Sequence, residues 1–176
     1  MTDEKFIHDI VAGLLGLPKN RVIKAYSNGP APKDNHATIR YYGLKQEFPA
    51  EYRLLNSDGD MDIRTTWNCV CEIQYYATKG DAVQELRQLS NQLEKYSIQQ
   101  RFSAQRLALF SYEQIQDLTA LVSDTWQSRA ALDIHIRFTD STLDRIDMIE
   151  KIQVTGDAKE AIDTGVIERE VTHGEH

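Results

Sequence analysis

The order of apolar and polar positions divides the chain into a helix, a set of strands, a longer helix and more strands. Phe6, Ile7, Ile10, Val11, Leu14 and Leu15 recur at helical spacing, which predicts a first helix over residues 3–15. Thr2 or Asp3 can cap it, and Asp3 and Glu4 suit the positive end of its dipole. Gly16 and Pro18 end it. "RVIKAYS" and "HATIRYYGLKQEF" read as strands, the second (36–48) setting Ile39 and Tyr41 against Thr38 and Tyr42 on opposite faces. The longest strand signal is "IRTTWNCVCEIQYYA", rich in β-branched and aromatic residues. Trp67, Cys69, Cys71, Ile73 and Tyr75 share one of its faces. Arg64, Thr66, Asn68, Glu72 and Gln74 dominate the other, which implies a sheet packed on one side and polar on the other.

"KGDAVQELRQLSNQLEKYSI" is the clearest helix, with Asp81 as N-cap and Val83, Leu86, Leu89 and Leu93 as its apolar stripe. A short piece around Gln99–Gln105 is a further helical candidate, and "RLALFSY" a strand. "ALDIHIRFT" alternates cleanly, with Leu132, Ile134, Ile136 and Phe138 inward. "IQDLTALVSDTWQSR" fits a strand or a turn. "PAEYRLLNSDGDMD" and "DSTLDR" read as connections; "IDMIEKIQVTG" fits a strand or a short helix, since Leu143, Ile146 and Ile149 also fit helical spacing, with its β-branched end and Gly156 favouring the strand. The expected fold is α+β, with a mainly antiparallel sheet packed against one long helix and a short N-terminal helix. One domain is expected over 1–156. Residues 157–176 read as a polar, acidic C-terminal tail docked on a neighbouring subunit, whose deletion should weaken assembly without unfolding the domain.

A length of 176 residues suits one domain. The net charge of −7 argues against a dedicated nucleic-acid binder, which needs a basic face to displace counterions. No apolar run approaches the roughly 20 residues of a membrane span. The opening residues lack the basic start of a secretion signal, so a cytoplasmic chain is expected.

Candidate chemistry is sparse. There is no G-x-S-x-G, no phosphate-binding G-x-x-x-x-G-K-[ST] and no H-E-x-x-H. Asp133 and His135 fall on one strand face and could form a base–orienter pair in a small metal-dependent hydrolase, but an exposed polar face is the simpler reading. Cys69 and Cys71 also share a strand face and read as packed thiols, not a disulfide or a zinc site. "NSDGDMD" matches a calcium loop only loosely, because Gly59 comes too early and Trp67 stands where a bidentate Glu is needed. "THGEH" lacks further metal ligands. No catalytic residue, metal site or cofactor is expected. Trp126 and Arg129 are of types enriched at interface hot spots. The alternative is that Trp126 plugs the sheet edge and Arg129 pairs with Asp124 or Asp133.

"AYSNGPAPKDNHATIRYY" poses its own question. Asn28-Gly29 is a strong hairpin signal, but Pro30 and Pro32 cannot donate to a strand ladder. A preset loop or arm is the better reading, held extended by its prolines, with Gly29 supplying a backbone conformation other residues avoid.

"LGLPKNRVIKAYSNGPAPKDNHATI" resembles the opening of the bacteriophage neck terminator (tail terminator) proteins, with its helix, "NGP-x-P" segment and "AT(V/I)" strand. "NCVCEIQYYATKGDAVQELRQL" resembles their strand and following helix. "DTWQSRAALDIHIRF" with "IDMIEKIQVTG" resembles their two closing strands. The resemblance spans about residues 12–156. Ala31 and His36 depart from it, standing where a basic residue and a Tyr are usual. The resemblance implies a structural virion protein that forms a ring, usually hexameric, at the head-proximal end of the tail tube. Such a ring ends tube growth, meets the head–tail connector (and the sheath in contractile phages), and lets the genome DNA pass without specific binding. A head-side stopper or tail-completion ring is the alternative. In that light Asn28, Gly29, Pro30, Pro32, Trp126 and Arg129 become candidate contacts to a subunit or partner. Asp58, Asp60 and Asp62, with Asp140 and Asp144, become candidates for an acidic channel lining that repels phosphate.

Overall fold

Two very long strands organise the molecule. In the computed structural model, which describes residues 4–30, 32–53, 59–122 and 124–145, β4 (Asp60–Ala77) and β8 (Thr125–Arg145) pair antiparallel without a register break from Asp60↔Arg145 to Ala77↔Ser128. At about 3.4 Å per residue the 18-residue β4 spans roughly 60 Å. Around this pair lie β1 (Val22–Lys24), β2 (His36–Gln46), β3 (Glu51–Tyr52), β5 (Leu107–Tyr112), β6 (Gln116–Asp117) and β7 (Ala120–Val122). The central order is β1-β2-β4-β8-β5, with β3 on β4 and β6 and β7 on β8.

The core explains the middle of each strand. Ile39, Cys69, Cys71, Ile73, Tyr75, Leu132, Ile134, Ile136 and Phe138 point to one face and are buried, as their alternation predicts. Helix α1 (Glu4–Leu14), α2 (Ala82–Leu93) and α3 (Tyr96–Ala104) supply Ile7, Ile10, Val11, Leu86, Leu89, Leu93, Ile98 and Phe102 to the same core. Gly16 ends α1 with φ +62°, and Leu17 N–H bonds to Ala12 O, a closing turn that glycine reaches without strain. Asp81 caps α2, its side chain accepting from Val83 N and Gln84 N at 2.9 and 3.4 Å. The expected caps Thr2 and Asp3 lie outside the described residues.

The expected plan of one long and one short helix on a mainly antiparallel sheet does not hold. The structure has a large mixed sheet of eight strands and three helices. The sheet is mixed because β1 runs parallel to β2, with Val22↔Ala37 and Lys24↔Ile39. The helical run breaks because Lys95 turns extended (φ −64°, ψ 132°), so α2 stops after 12 residues and α3 starts afresh. "DSTLDR" is not a connection: β8 continues straight through it against β4. The ambiguous stretch before Arg129 is β6, β7 and the start of β8. "IDMIEKIQVTG" and the tail 157–176 lie outside the described residues.

Candidate interaction surfaces

Beyond the core, β8 carries an outgrowth at each end. At its start it pairs with β7 in a tight hairpin, Ala120↔Gln127, Leu121↔Trp126 and Val122↔Thr125, turned at Asp124 with φ +63°. The hairpin's base is fixed. Leu118 N–H bonds to Arg129 O, Thr119 N–H to Asp117 Oδ1, and Ala82 N–H to Ser128 Oγ. Its tip is apolar and exposed: Trp126 is 74 %, Leu121 58 % and Val122 49 % accessible. Trp126 therefore does not plug the sheet. Arg129 does not turn to Asp124 or Asp133 as one reading had it. Its guanidinium lies over the Tyr76 ring, 4.8 Å from the centroid, and donates to Gln74 Oε1. Sequence reasoning singled out Trp126 but missed Leu121 and Val122, which show only once β7 is folded beside it.

At the other end β8 and β4 form a ribbon, residues 60–66 paired with 139–145. Residues 139–145 of β8 are exposed along their whole length. Asp60 and Asp62 sit on β4 in this ribbon, paired with Arg145 and Leu143. Asp62 accepts from Ser141 Oγ and from Arg64 Nε, the latter at 2.7 Å. These bonds, Ser141 first, hold its carboxyl below the ordinary range. Asp140 and Asp144 face Thr65 and Met61 across the ribbon. The candidates divide between the ribbon's two faces: Asp60 and Asp62 share one with Ser141, Leu143 and Arg145, while Asp140 and Asp144 share the other with Thr65 and Met61; Asp58 lies outside the described residues.

Residues 25–30 and 32–35 lie in the connection between two parallel strands, so Asn28-Gly29 makes no two-residue hairpin. Asn28, Gly29 and Pro30 are exposed and Pro32 half-buried. Gly29 is not in the left-handed region, and a Cβ there would meet nothing within 4 Å. The residue that takes positive φ is Tyr26, at 60°, with its hydroxyl accepting from Arg40 at 3.0 Å. The loop's real anchor is Asn35, which sequence reasoning passed over. Its Oδ1 accepts from Thr78 N and Thr78 Oγ1 at 2.8 Å and from Lys79 N at 3.2 Å, tying the entry of β2 to the exit of β4.

The face of the sheet away from the helices is polar and cross-linked. Arg40 bonds to Glu72 at 2.7 Å, Tyr42 to Asp133 at 2.5 Å, and Arg137 to Glu47. The bond to Asp133 pushes the Tyr42 phenol up to about 12. Asp133 and His135 do not form a working pair: Asp133 serves Tyr42, while His135 Nε2 sits 3.0 Å from Glu113. Both cysteines are free and buried, and burial pushes the Cys71 thiol far up, away from nucleophilic use. Among the described residues no group of three or more potential ligands could hold a metal, and no helix is long and apolar enough to cross a membrane. A cavity of about 290 Å³ opens between α1, β1 and β2, lined by Glu4, Lys5, His8, Lys24, Ile39 and Tyr41.

The geometry shows outgrowths and open surfaces around a sealed core, an arrangement suited to contacts between proteins. No curated protein matches the chain. A family model described as phage neck terminator protein matches residues 4–161. That family is one of structural proteins of the phage neck, which meet other proteins of the tail and head. With most of its length matched, the chain belongs to the phage neck terminator protein family.

Proposed function

We propose that the protein forms a ring, a homohexamer, at the head-proximal end of the phage tail tube, where it ends tube polymerisation and joins the tail to the head–tail connector. The observation that carries this reading is the family match over residues 4–161. The apolar hairpin at the start of β8 supports it, because a closed ring made by rotation needs on each subunit a surface that meets an unlike surface of the next. The tail tube protein and the connector are its partners, with the sheath protein added if the tail contracts. The loop with Asn28, Gly29, Pro30 and Pro32 and the hairpin with Trp126 and Arg129 are the proposed contact sites. The genome passes through the centre without specific binding. The ribbon face that carries Asp60 and Asp62 is the proposed acidic lining, with Asp140 and Asp144 on the ribbon's other face, since like charge repels phosphate. Residues 157–176 dock on a neighbouring subunit in this reading, and removing them weakens assembly while the domain's thermal transition stays.

The test is tube assembly in vitro. Tail tube protein polymerised with the purified protein should give tubes of capped length, each with a ring at one end under the electron microscope. Tubes that grow past the ring, or a protein that binds connectors but never tube ends, would overturn the reading; the second result would make it a head-side stopper ring.

A further inference from the structure

We infer that the β7–β8 hairpin of one copy seats Trp126 in the cavity between α1, β1 and β2 of a second copy. The inference rests on the ring reading above and names the contact that closes it. Three large apolar side chains, Trp126, Leu121 and Val122, stand exposed on one short hairpin. Single exposed apolar residues are ordinary, but a clustered patch marks an interaction surface. The hairpin is not a loose loop: Thr119 Oγ1 accepts from Arg129 N–H, Thr125 Oγ1 donates to Val122 O, and Ser128 Oγ holds the start of α2. A knob fixed before it docks loses little entropy on binding.

The same chain carries a hole of suitable size and chemistry. Its walls include the buried Ile39 and the half-buried Tyr41. At about 290 Å³ it exceeds the apolar cavities of about 150 Å³ that take up benzene, so an indole fits. The charges also match. Lys5 and Lys24 stand exposed at the cavity, and among its described lining residues Glu4 is the one carboxylate, 3.5 Å from Lys24. The hairpin brings Asp124 two residues before Trp126. Knob and hole lie on different strands, the hole at β1 and β2 and the knob at β7 and β8, so each copy can give one and take one. That is a heterologous contact, the kind that closes a ring.

The experiment uses full-length protein in two forms, a knob variant (Trp126→Ala) and a hole variant (Lys5→Glu with Lys24→Glu), with folding checked by circular dichroism. The solution mass of each is measured by light scattering, alone and mixed. The wild type should self-associate, and each variant alone should do so at least about tenfold more weakly. The equimolar mixture retains one good knob and one good hole, so it should form pairs that stop at two copies. Asp124→Lys should restore association to the hole variant. Variants that assemble like the wild type, a mixture that forms no pair, or a wild type monomeric at every attainable concentration would each overturn the contact. The two readings fail separately. A ring that forms without Trp126 leaves the terminator function standing, whereas a Trp126-dependent ring that leaves tube length unchanged keeps the contact and removes that function.

Discussion

Phe102→Ala tests whether α3 is a structural member of the core or an ornament on it. Phe102 is 2 % exposed and meets Phe6 of α1 edge to face, with ring centroids 5.2 Å apart. Truncating a buried Phe to Ala costs about 3–5 kcal/mol, and the site should sit toward the upper end because sheet and helices enclose it. Of that, about 0.5–1.5 kcal/mol belongs to the ring pair itself. Urea unfolding followed by far-UV circular dichroism measures the loss. With a slope of about 2–3 kcal/mol per molar for a chain of this size, the midpoint should fall by about 1.5 M at unchanged slope. Phe6→Ala should cost less, since Phe6 is only half-buried. The double variant should fall short of the sum by about 1 kcal/mol. A loss below about 1.5 kcal/mol for Phe102→Ala, or strict additivity with Phe6→Ala, would refute the docking of α3 on α1.

Trp126→Ala should leave the unfolding midpoint within about 0.5 kcal/mol of the wild type, because the side chain is exposed; a larger loss would mean that it supports the fold. Raising pH should ionise the Tyr42 phenol only near about 12, with Asp133→Asn returning it toward 10.0, as read by ultraviolet absorbance. Since the folded value is raised, the bond's contribution is complete below 10.0 and fades as pH climbs through about 12. Asp62 runs the other way: its carboxyl is lowered, so its support of the ribbon is present above 3.8 and lost in more acid solution, which a carboxyl NMR titration checks. Cys69 and Cys71 should resist thiol reagents in the folded protein and both react in denaturant; rapid labelling of the native protein would contradict their burial.

What the sequence disclosed follows from where burial imposes a pattern. Ile39, Cys69, Cys71, Ile73 and Leu132 to Phe138 alternate because one face of the sheet is dry, and that period is visible in a string of letters. The ends of β8 carry no such mark. Residues 139–145 are exposed on both faces, so "DSTLDR" shows no alternation, and only the ladder to residues 60–66 makes it a strand. The bulge at Gly43, with φ +65°, shifts the register between Tyr42 and Lys45 and depends on a partner strand that local sequence does not name. The helix break at Lys95 is equally hidden, since "QLEKYSI" suits a continuous helix and its extended backbone is set by how α2 and α3 reach the core. Trp126 was legible as a candidate contact by type alone, and the structure adds its exposure. Its neighbours Leu121 and Val122, and the cavity beside Ile39, are products of topology.

One strand therefore does three separable jobs. Residues 130–138 of β8 hold the core, residues 125–127 carry the apolar hairpin, and residues 139–145 form the exposed ribbon. Because the ladder to β4 runs unbroken through most of its length, the buried middle fixes the relative placement of the two ends. Substitutions in the middle should then act on folding and substitutions at either end on assembly, with little crossover between them. Ile134→Ala and Trp126→Ala make the contrast sharp: the first should lower stability by about 2–5 kcal/mol, and the second should change solution mass while leaving stability nearly alone. If Ile134→Ala instead released the assembly at conditions where the domain stays folded, the ends would be positioned by something other than the core strand.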